Sequence, residues 1–123
     1  EVLDMTVEYM KTRIAFGRPI GSFQALQHYA ANMAMDTDGS KFITYQALWS
    51  LGEGLPSVME VSAAKAWTSD AGQRVSAYAH QSHGAIGFTQ EHDLQLFTRR
   101  LKAWETSFGD GDYHRDIIAG LTE

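Results

Sequence analysis

Apolar residues recur along this 123-residue chain at alternating spacings of three and four, the pattern of helices with one buried face. The clearest run predicts a helix over residues 94–108, with inward positions at Leu94, Phe97, Leu101, Trp104 and Phe108. Its spacing is that of the seam between antiparallel helices of a bundle. An earlier run predicts a first helix that ends at Gly17, with inward positions at Leu3, Val7, Met10 and Ile14.

Two longer helices are predicted between these runs. The first covers residues 23–51 with Ser22 as its N-cap, and the second covers residues 58–82 after a stop at the glycines and proline of residues 52–56. Their inward positions are predicted to be Leu26, Ala30, Met33, Leu48, Ala64, Trp67, Ala71, Val75 and Tyr78. A short helix is predicted over residues 113–121. The predicted fold class is therefore all-α, an up-and-down four-helix bundle with a short additional C-terminal helix.

The composition fits one small helical domain and excludes several kinds of protein. The chain has no cysteine, which excludes a disulfide framework and thiolate chemistry. Its formal net charge is −5 and its 10 basic residues are scattered, so no nucleic-acid partner is predicted. No apolar run approaches the roughly 20 residues that cross a bilayer. No membrane partner is predicted, and a cytoplasmic location is expected.

Residues 36–44 begin like a calcium-binding EF-hand loop, because side chains with oxygen ligands stand at the first, third and fifth positions. The sixth position requires glycine and has Lys41, and the twelfth requires glutamate and has Ala47. A solvated stretch of the second helix is the preferred interpretation.

Histidines and acidic residues near the predicted helix ends are further candidates for chemistry. His80 and His83 could share a helix face, but a metal site needs a third ligand from His92 or Glu91, so surface or capping histidines are preferred. Four acidic residues could act as general acids or bases, or could cap helices: Glu91, Asp93, Asp110 and Asp112. The aromatic stripe of the fourth helix could contact a ring cofactor, but core packing is the preferred interpretation.

Residues 13–28 combine a phosphate-binding residue type with a glycine-rich turn and the start of a helix. The guanidinium of Arg13 offers a planar fork of donors that matches a phosphate or pyrophosphate. Gly17 and Pro19 bend the chain away from the first helix. On these residues alone, the segment is a candidate anion site.

Three segments in matching order resemble the acyl-CoA dehydrogenase family. Residues 13–28 are similar to its R-x-x-F-G-x-P-I-x-x-F-Q-x-x-Q sequence, residues 81–89 to Q-x-x-G-G-x-G-F, and residues 99–109 to R-D-A-K with the turn that follows. The resemblance implies that residues 1–123 are the C-terminal helical domain of such a protein, with the N-terminal helical and middle β domains outside this sequence. The start at Glu1, with no methionine, fits a piece of a longer chain.

The resemblance also implies partners and a reaction. The parent protein would oxidise an acyl-CoA substrate to the 2,3-enoyl-CoA with FAD as cofactor, and would pass electrons to an electron-transfer acceptor. The helical domain would form a homo- or hetero-oligomer. Because the other domains of the family hold most of the flavin and the acyl chain, the 123 residues alone are expected to be inactive.

Individual site residues are implied by the same resemblance. Arg13 would bind the FAD pyrophosphate of a neighbouring subunit, and Phe16, Phe23 and Gln24 would lie beside the cofactor. The implied contacts of the second segment with the flavin are Gln81, Gly84 and Ala85. Ala85 stands where the family usually has glycine, so a positive φ at this position would be strained.

The largest departure from the family is Phe108, which aligns with a glutamate that removes the α-proton of the substrate in many members. A phenyl ring cannot accept a proton, so no catalytic residue is predicted in this chain. Three explanations are open: a base on the helix upstream of Glu1, a partner subunit that supplies it in a heteromeric enzyme, or loss of dehydrogenase activity. A helical interaction module that binds no cofactor is the competing class of function.

Overall fold

The computed structural model describes residues 1–122 and contains five α-helices and one short hairpin. The helices are α1 (Val2–Thr12), α2 (Gln24–Gly52), α3 (Val58–His83), α4 (Leu94–Thr106) and α5 (Gly111–Thr122). The hairpin strands β1 (Ile14–Ala15) and β2 (Arg18–Pro19) lie between α1 and α2. Two 3₁₀ turns, Ile20–Ser22 and Gly84–Phe88, precede α2 and α4. The all-α prediction is confirmed, and Glu123, the last residue of the predicted domain, lies outside the described residues.

The long helices α2 and α3 run antiparallel and form the centre of the fold. Their contacts pair Asn32 with Tyr78 and Asp36 with Arg74, so positions that advance along α2 retreat along α3. The helices α1 and α4 pack on one half of this hairpin. The core there consists of Val2, Met33, Val75, Ala79 and Leu94, flanked by the partly buried Leu3, Met5, Tyr78, Phe97 and Leu101. We call this half of the α2–α3 hairpin the covered half.

The other half, residues 42–61, we call the open half, because most of its large apolar side chains face solvent. These are Phe42, Tyr45, Leu48, Trp49, Leu51, Leu55, Val58, Met59 and Val61. The buried residues in this range are the small Ala47, Ser50 and Ser57. No helix within residues 1–122 combines the length and the apolar character that crossing a membrane requires.

Several predicted inward positions are exposed instead. They are Ile14, Leu48, Trp67, Trp104 and Phe108. Ile14 lies outside α1, which ends at Thr12 because the chain turns into the hairpin and Ile14 pairs with Pro19. Phe108 lies beyond the end of α4 at Thr106. Leu48 belongs to the open half, while Trp67 and Trp104 lie at positions that neighbouring helices do not fully cover.

The predicted helix ends also need correction at two places. Ser22 does not cap α2, because its hydroxyl donates to the carbonyl oxygen of Pro19 at 2.7 Å and Phe23 occupies the N-cap position. The last helix begins at Gly111 rather than at Tyr113, since the Asp110 carboxylate accepts the Tyr113 N–H at 2.9 Å and starts the helix earlier.

Candidate functional site

The hairpin after α1 places the predicted anion-binding segment at one end of the bundle. Arg13 is the exposed C-cap of α1; its N–H donates to Tyr9 and its carbonyl oxygen accepts the Ile20 N–H at 2.9 Å. At Gly21, a side chain would collide with the backbone of α1, because an added Cβ would lie 3.0 Å from the carbonyl oxygen of Met10. Glycine therefore lets this segment pack directly against the end of α1.

The turn of the hairpin holds an exposed phenylalanine in a left-handed conformation. Phe16 and Gly17 have φ of 54° and 78°, the pair of positive values that a two-residue type I′ turn requires. Asparagine or glycine is the usual residue at the first position, so phenylalanine there is strained. The side chain of Phe16 is nevertheless 94% exposed. A strained and exposed aromatic residue is a common mark of a contact with a ligand or partner.

Three side chains form a continuous surface beside this turn. The rings of Phe16 and Phe23 meet edge to face, with their centroids 6.0 Å apart, and the guanidinium of Arg18 lies 4.2 Å from the centre of the Phe23 ring. Gln24 is exposed at the start of α2. Arg13 and Gln24 flank this surface along the chain, and the contacts of Arg13, Phe16, Phe23 and Gln24 with the cofactor stay predictions. Arg18 was not predicted; its place beside Gly17 in the same turn is the signal that could have identified it.

The second predicted segment lies where α3 ends. Gly84 has φ 64°, which favours glycine, and its N–H donates to His80. Gln81, Gly84 and Ala85 are all exposed. Ala85 is part of the 3₁₀ turn Gly84–Phe88 and does not have a positive φ, so the strain expected at this position is absent.

The two segments are neighbours because the C-terminal ends of α1 and α3 meet. Tyr9, one turn before Arg13, stacks on His83 with ring centroids 4.5 Å apart. His83 directly precedes Gly84. The hairpin and the Gly84 turn therefore share one end of the bundle, and we call this the hairpin end.

His83 is a core residue rather than a surface or capping histidine. It is only 4% exposed, and its Nδ1–H donates to the carbonyl oxygen of Ala79 at 2.8 Å. Its Nε2 has no hydrogen-bond partner among the described residues. Burial lowers the pKa of His83, and of His80 as well, because a charged imidazolium would lose its hydration. The capping prediction fits His92, whose Nδ1 accepts the Leu94 N–H at 3.1 Å.

Metal binding finds no support in this region. No group of three potential ligands lies close enough to hold an ion within residues 1–122. The segment that begins like a calcium loop is part of α2 as expected, but it is not solvated throughout, because Asp36 at its first position is buried. Asp36 is buried and pairs with Arg74 across the α2–α3 contact, with Oδ1 and Nη2 2.6 Å apart. This hydrogen bond to Asp36 is also the main reason that the pKa of Arg74 is raised.

Phe108 lies in a second strained turn, between α4 and α5. It has φ 60°, its side chain is 94% exposed, and Gly109 follows with φ 91°. Two of the four acidic candidates act structurally here: Asp110 accepts the Tyr113 N–H, and Asp112 pairs with Arg115 at 2.7 Å. Glu91 and Asp93 are exposed, and Asp93 is the N-cap residue of α4 without a side-chain capping bond.

The Phe108 turn is not part of the hairpin end. Arg115 joins it to α3 through Asp70, at 2.8 Å. Asp70 and Gln81 are eleven positions apart along α3 (81 − 70), which corresponds to about 16 Å. The predicted cofactor contacts and the Phe108 turn therefore occupy separate places on the bundle.

Comparison with known proteins identifies the fold family. The family description "Acyl-CoA dehydrogenase, C-terminal domain" matches residues 1–120. The chain belongs to the acyl-CoA dehydrogenase family. It is 39% identical over 98 residues to acyl-CoA dehydrogenase IpdE2 of Mycolicibacterium smegmatis, an alignment that covers 80% of this chain and 30% of that protein.

Two solved structures superpose closely on this chain. The ChsE4-ChsE5 complex from Mycobacterium tuberculosis matches with a TM-score of 0.93 at 34% identity, covering 99% of this chain and 34% of the other. The FAD complex of PigA matches with a TM-score of 0.92 at 25% identity, covering 98% of this chain and 32% of the other. The chain thus spans about a third of the length of the proteins it matches.

Proposed function

We propose that this chain is the FAD-contacting and oligomerising C-terminal domain of a flavoprotein that oxidises acyl-CoA to 2,3-enoyl-CoA. The observation that carries the proposal is the hairpin end, which holds Arg13, the exposed Phe16 with the half-buried Phe23, and the Gly84 turn. Family membership and the FAD in the PigA structure support the identity of the cofactor. When bound, FAD supplies the acceptor for the hydride from the substrate.

The residues of the hairpin end suit a dinucleotide. Arg13 is exposed at the edge of the segment, where its guanidinium can make charge-assisted hydrogen bonds to a pyrophosphate. Phe16 and Phe23 offer ring surfaces for a base or sugar. At Gly17 and Gly84 the backbone is open, since an added Cβ would meet nothing within 4 Å, so a ligand can approach the main chain closely.

Replacement of Arg13 tests this assignment. Arg13→Ala in the full-length flavoprotein should weaken FAD binding about 10- to 150-fold, because a charge-assisted hydrogen bond contributes roughly 1.5 to 3 kcal/mol. Flavin content after purification and the dissociation constant of added FAD measure the effect. Lys11→Ala is the matched control, since Lys11 is exposed on the last turn of the same helix and pairs with Glu8. Unchanged flavin affinity in Arg13→Ala would show that another residue binds the pyrophosphate.

The oligomerisation part of the proposal rests on the open half. Nine large apolar side chains face solvent between residues 42 and 61, more than an isolated soluble domain normally exposes in one stretch. A second helical domain that packs on this stretch would remove them from water. A homo-oligomer and a hetero-oligomer both satisfy this requirement, and the ChsE4-ChsE5 structure is itself a complex.

The source of the catalytic base is the point on which the alternatives differ. Phe108 cannot remove a proton, so the base comes from upstream of Glu1 or from a partner subunit, or the protein has no dehydrogenase activity. Phe108→Glu in the full-length protein tests whether that protein has a base at another position. We expect it to raise acyl-CoA oxidation, measured with a dye acceptor, only if no other base is present.

A helical interaction module without cofactor is the second candidate, favoured by the exposed open half and by the absence of a base at Phe108. Purified full-length protein that has no flavin absorption band and does not bind added FAD would support this module. The 123-residue chain alone should not oxidise acyl-CoA in either case. Detectable turnover by these residues would contradict the proposal that the other domains are required for the reaction.

A further inference from the structure

The hairpin lies in the longest stretch of the sequence that has no acidic residue. Residues 9–35 contain no aspartate or glutamate, although 15 of the 123 residues are acidic. Lys11 in this stretch pairs with Glu8, whereas Arg13 and Arg18 form no ion pair in the described part of the chain. The hairpin is therefore a local positive patch on a chain of formal net charge −5, and such a patch attracts an anionic ligand.

Arg18 lies on the second strand of the hairpin, opposite Ala15. The Cζ atom of its guanidinium is 4.2 Å from the centre of the Phe23 ring. The other cations that lie over aromatic rings within residues 1–122 are 5.5 to 5.9 Å from the ring centres, so Arg18 makes the closest cation–π contact there. The ring attracts the positive charge and limits the directions that the guanidinium can take.

Phe23 is itself held in place by the start of α2. Its N–H donates to the carbonyl oxygen of Ile20 at 3.0 Å, and its own carbonyl oxygen accepts the Leu26 N–H at 3.0 Å. The ring is half-buried and meets the ring of Phe16 edge to face. The guanidinium of Arg18 thus rests on a side chain whose backbone is bonded on both sides.

The contact with Phe23 leaves the hydrogen-bonding capacity of Arg18 available. The five N–H donors of a guanidinium lie in its own plane, and contact with a ring face does not use them. The side chain of Arg18 is exposed, and no carboxylate in the described part of the chain pairs with it. Arg18 can therefore rest on Phe23 and bind an anion at the same time.

We propose that Arg18 is a second binding residue for the FAD pyrophosphate, in addition to Arg13, and that Phe23 positions its guanidinium. The inference rests on the proposed function, which brings the dinucleotide to the hairpin end. Each phosphate group of a pyrophosphate carries a negative charge and several acceptor oxygens, more than a single guanidinium satisfies. A second arginine on the same hairpin supplies the missing charge and donors.

The dissociation constant of FAD from the full-length protein tests the role of Arg18. Arg18→Ala should raise this constant about tenfold or more, because a charge-assisted hydrogen bond is lost. Lys41→Ala is the matched control, since it removes an exposed cation that lies over the ring of Tyr45. Lys41 is 17 positions beyond Gln24 at the start of α2 (41 − 24), about 26 Å along the helix, so its removal should change the constant less than about twofold.

Salt dependence separates a charge contact with the cofactor from a structural role of Arg18. The dissociation constant of FAD should rise less steeply in Arg18→Ala than in the wild type when sodium chloride is raised from about 0.05 to 0.5 M, because salt screens the lost attraction. Arg18→Lys keeps the charge and should retain the wild-type salt dependence, but it should recover only part of the affinity because an ammonium lacks the planar fork. A salt dependence that is the same in Arg18→Ala and the wild type would overturn the inference.

A double-variant cycle tests whether Phe23 acts through Arg18. Phe23→Leu removes the ring and keeps an apolar side chain, so Arg18→Ala should then weaken FAD binding less than about threefold, against tenfold or more when Phe23 is present. Equal losses in both backgrounds, or an unchanged dissociation constant in Arg18→Ala, would overturn the inference; the proposed function would stand if Arg13→Ala still weakened FAD binding. A wild-type protein that does not bind FAD would overturn both.

Discussion

The covered and open halves of the α2–α3 hairpin use the same two helices in opposite ways. In the covered half, Met33 of α2 and Val75 of α3 are buried in one cluster with Val2 of α1 and Leu94 of α4. In the open half, the buried positions are small and the large side chains, among them Trp49 and Val58, face solvent. One half thus supplies the core of the domain. The other leaves its large apolar side chains uncovered by the rest of residues 1–122.

This difference shows why the amphipathic pattern of one chain does not by itself identify the interior. A helix that contributes to an interface carries an apolar face just as a core helix does. The large residues of the open half are candidates for the residues that contribute most to association, because Trp and other large side chains dominate binding at interfaces. The contrast can be tested by changing one residue of the core and one residue of the open half.

The largest effect on stability is expected in the core that α4 forms with the covered half. Leu94→Ala should lower the free energy of unfolding by about 2 to 5 kcal/mol, because it leaves a cavity where the wild-type side chain is fully buried. Urea-induced unfolding followed by circular dichroism measures the loss. Leu96→Ala is the control, since Leu96 is 57% exposed two positions later and should change stability by less than about 0.5 kcal/mol. Equal losses of stability in the two variants would mean that Leu94 is not part of the core.

The next effect concerns association rather than folding. Trp49→Lys in the open half should weaken oligomer formation at least about 30-fold, because loss of a central Trp at an interface costs about 2 kcal/mol or more. Light scattering during size-exclusion chromatography measures the oligomeric state, and circular dichroism should show unchanged helix content. Met35→Lys adds the same charge to an exposed position of α2 outside the open half. If both variants, or neither, dissociate, the interface lies elsewhere.

The smallest expected effect is a pH dependence of the free energy of unfolding that comes from histidines at the covered half. Burial lowers the pKa of His83 and His80 below the ordinary value of 6.5, so below about pH 6.5 the unfolded chain binds more protons than the folded one. The free energy of unfolding should therefore fall as the pH is lowered from 7.5 to 5.5.

His83→Phe tests the source of this dependence. It keeps an aromatic ring against Tyr9 and should reduce the drop in melting temperature between pH 7.5 and 5.5. His28→Gln, at an exposed position of α2, should leave the drop unchanged. The open half contains no histidine, so residues 42–61 contribute nothing to the effect through imidazole titration. A drop of full size in His83→Phe would assign the titration to other groups.

Much of the fold could be predicted from the sequence because helix periodicity is a local signal. The five helices and the inward positions Met33, Val75 and Leu94 are confirmed. The exposed positions of Trp67 and Trp104 could not be predicted, since the pattern of a helix does not say whether a neighbour in the same chain covers it. His83 was missed as a core residue for a related reason: its burial depends on Tyr9, which is distant in sequence.

Short motifs could name the residues of the candidate site, but they could not predict how these residues are arranged in space. Short motifs identified Arg13, Phe16 and the Gly84 turn, but their neighbourhood depends on the stacking of Tyr9 on His83. Arg18 lies over the ring of Phe23, and His114 donates to the Phe108 carbonyl oxygen. The sequence has no local pattern that predicts either contact. The seven cofactor contacts stay predictions until flavin binding is measured.

The type I′ turn at Phe16 and Gly17 has a further consequence for stability. Asparagine at position 16 would relax the left-handed backbone and make the folded domain more stable. The hairpin thus keeps a phenyl ring in solvent at the expense of the backbone that holds it.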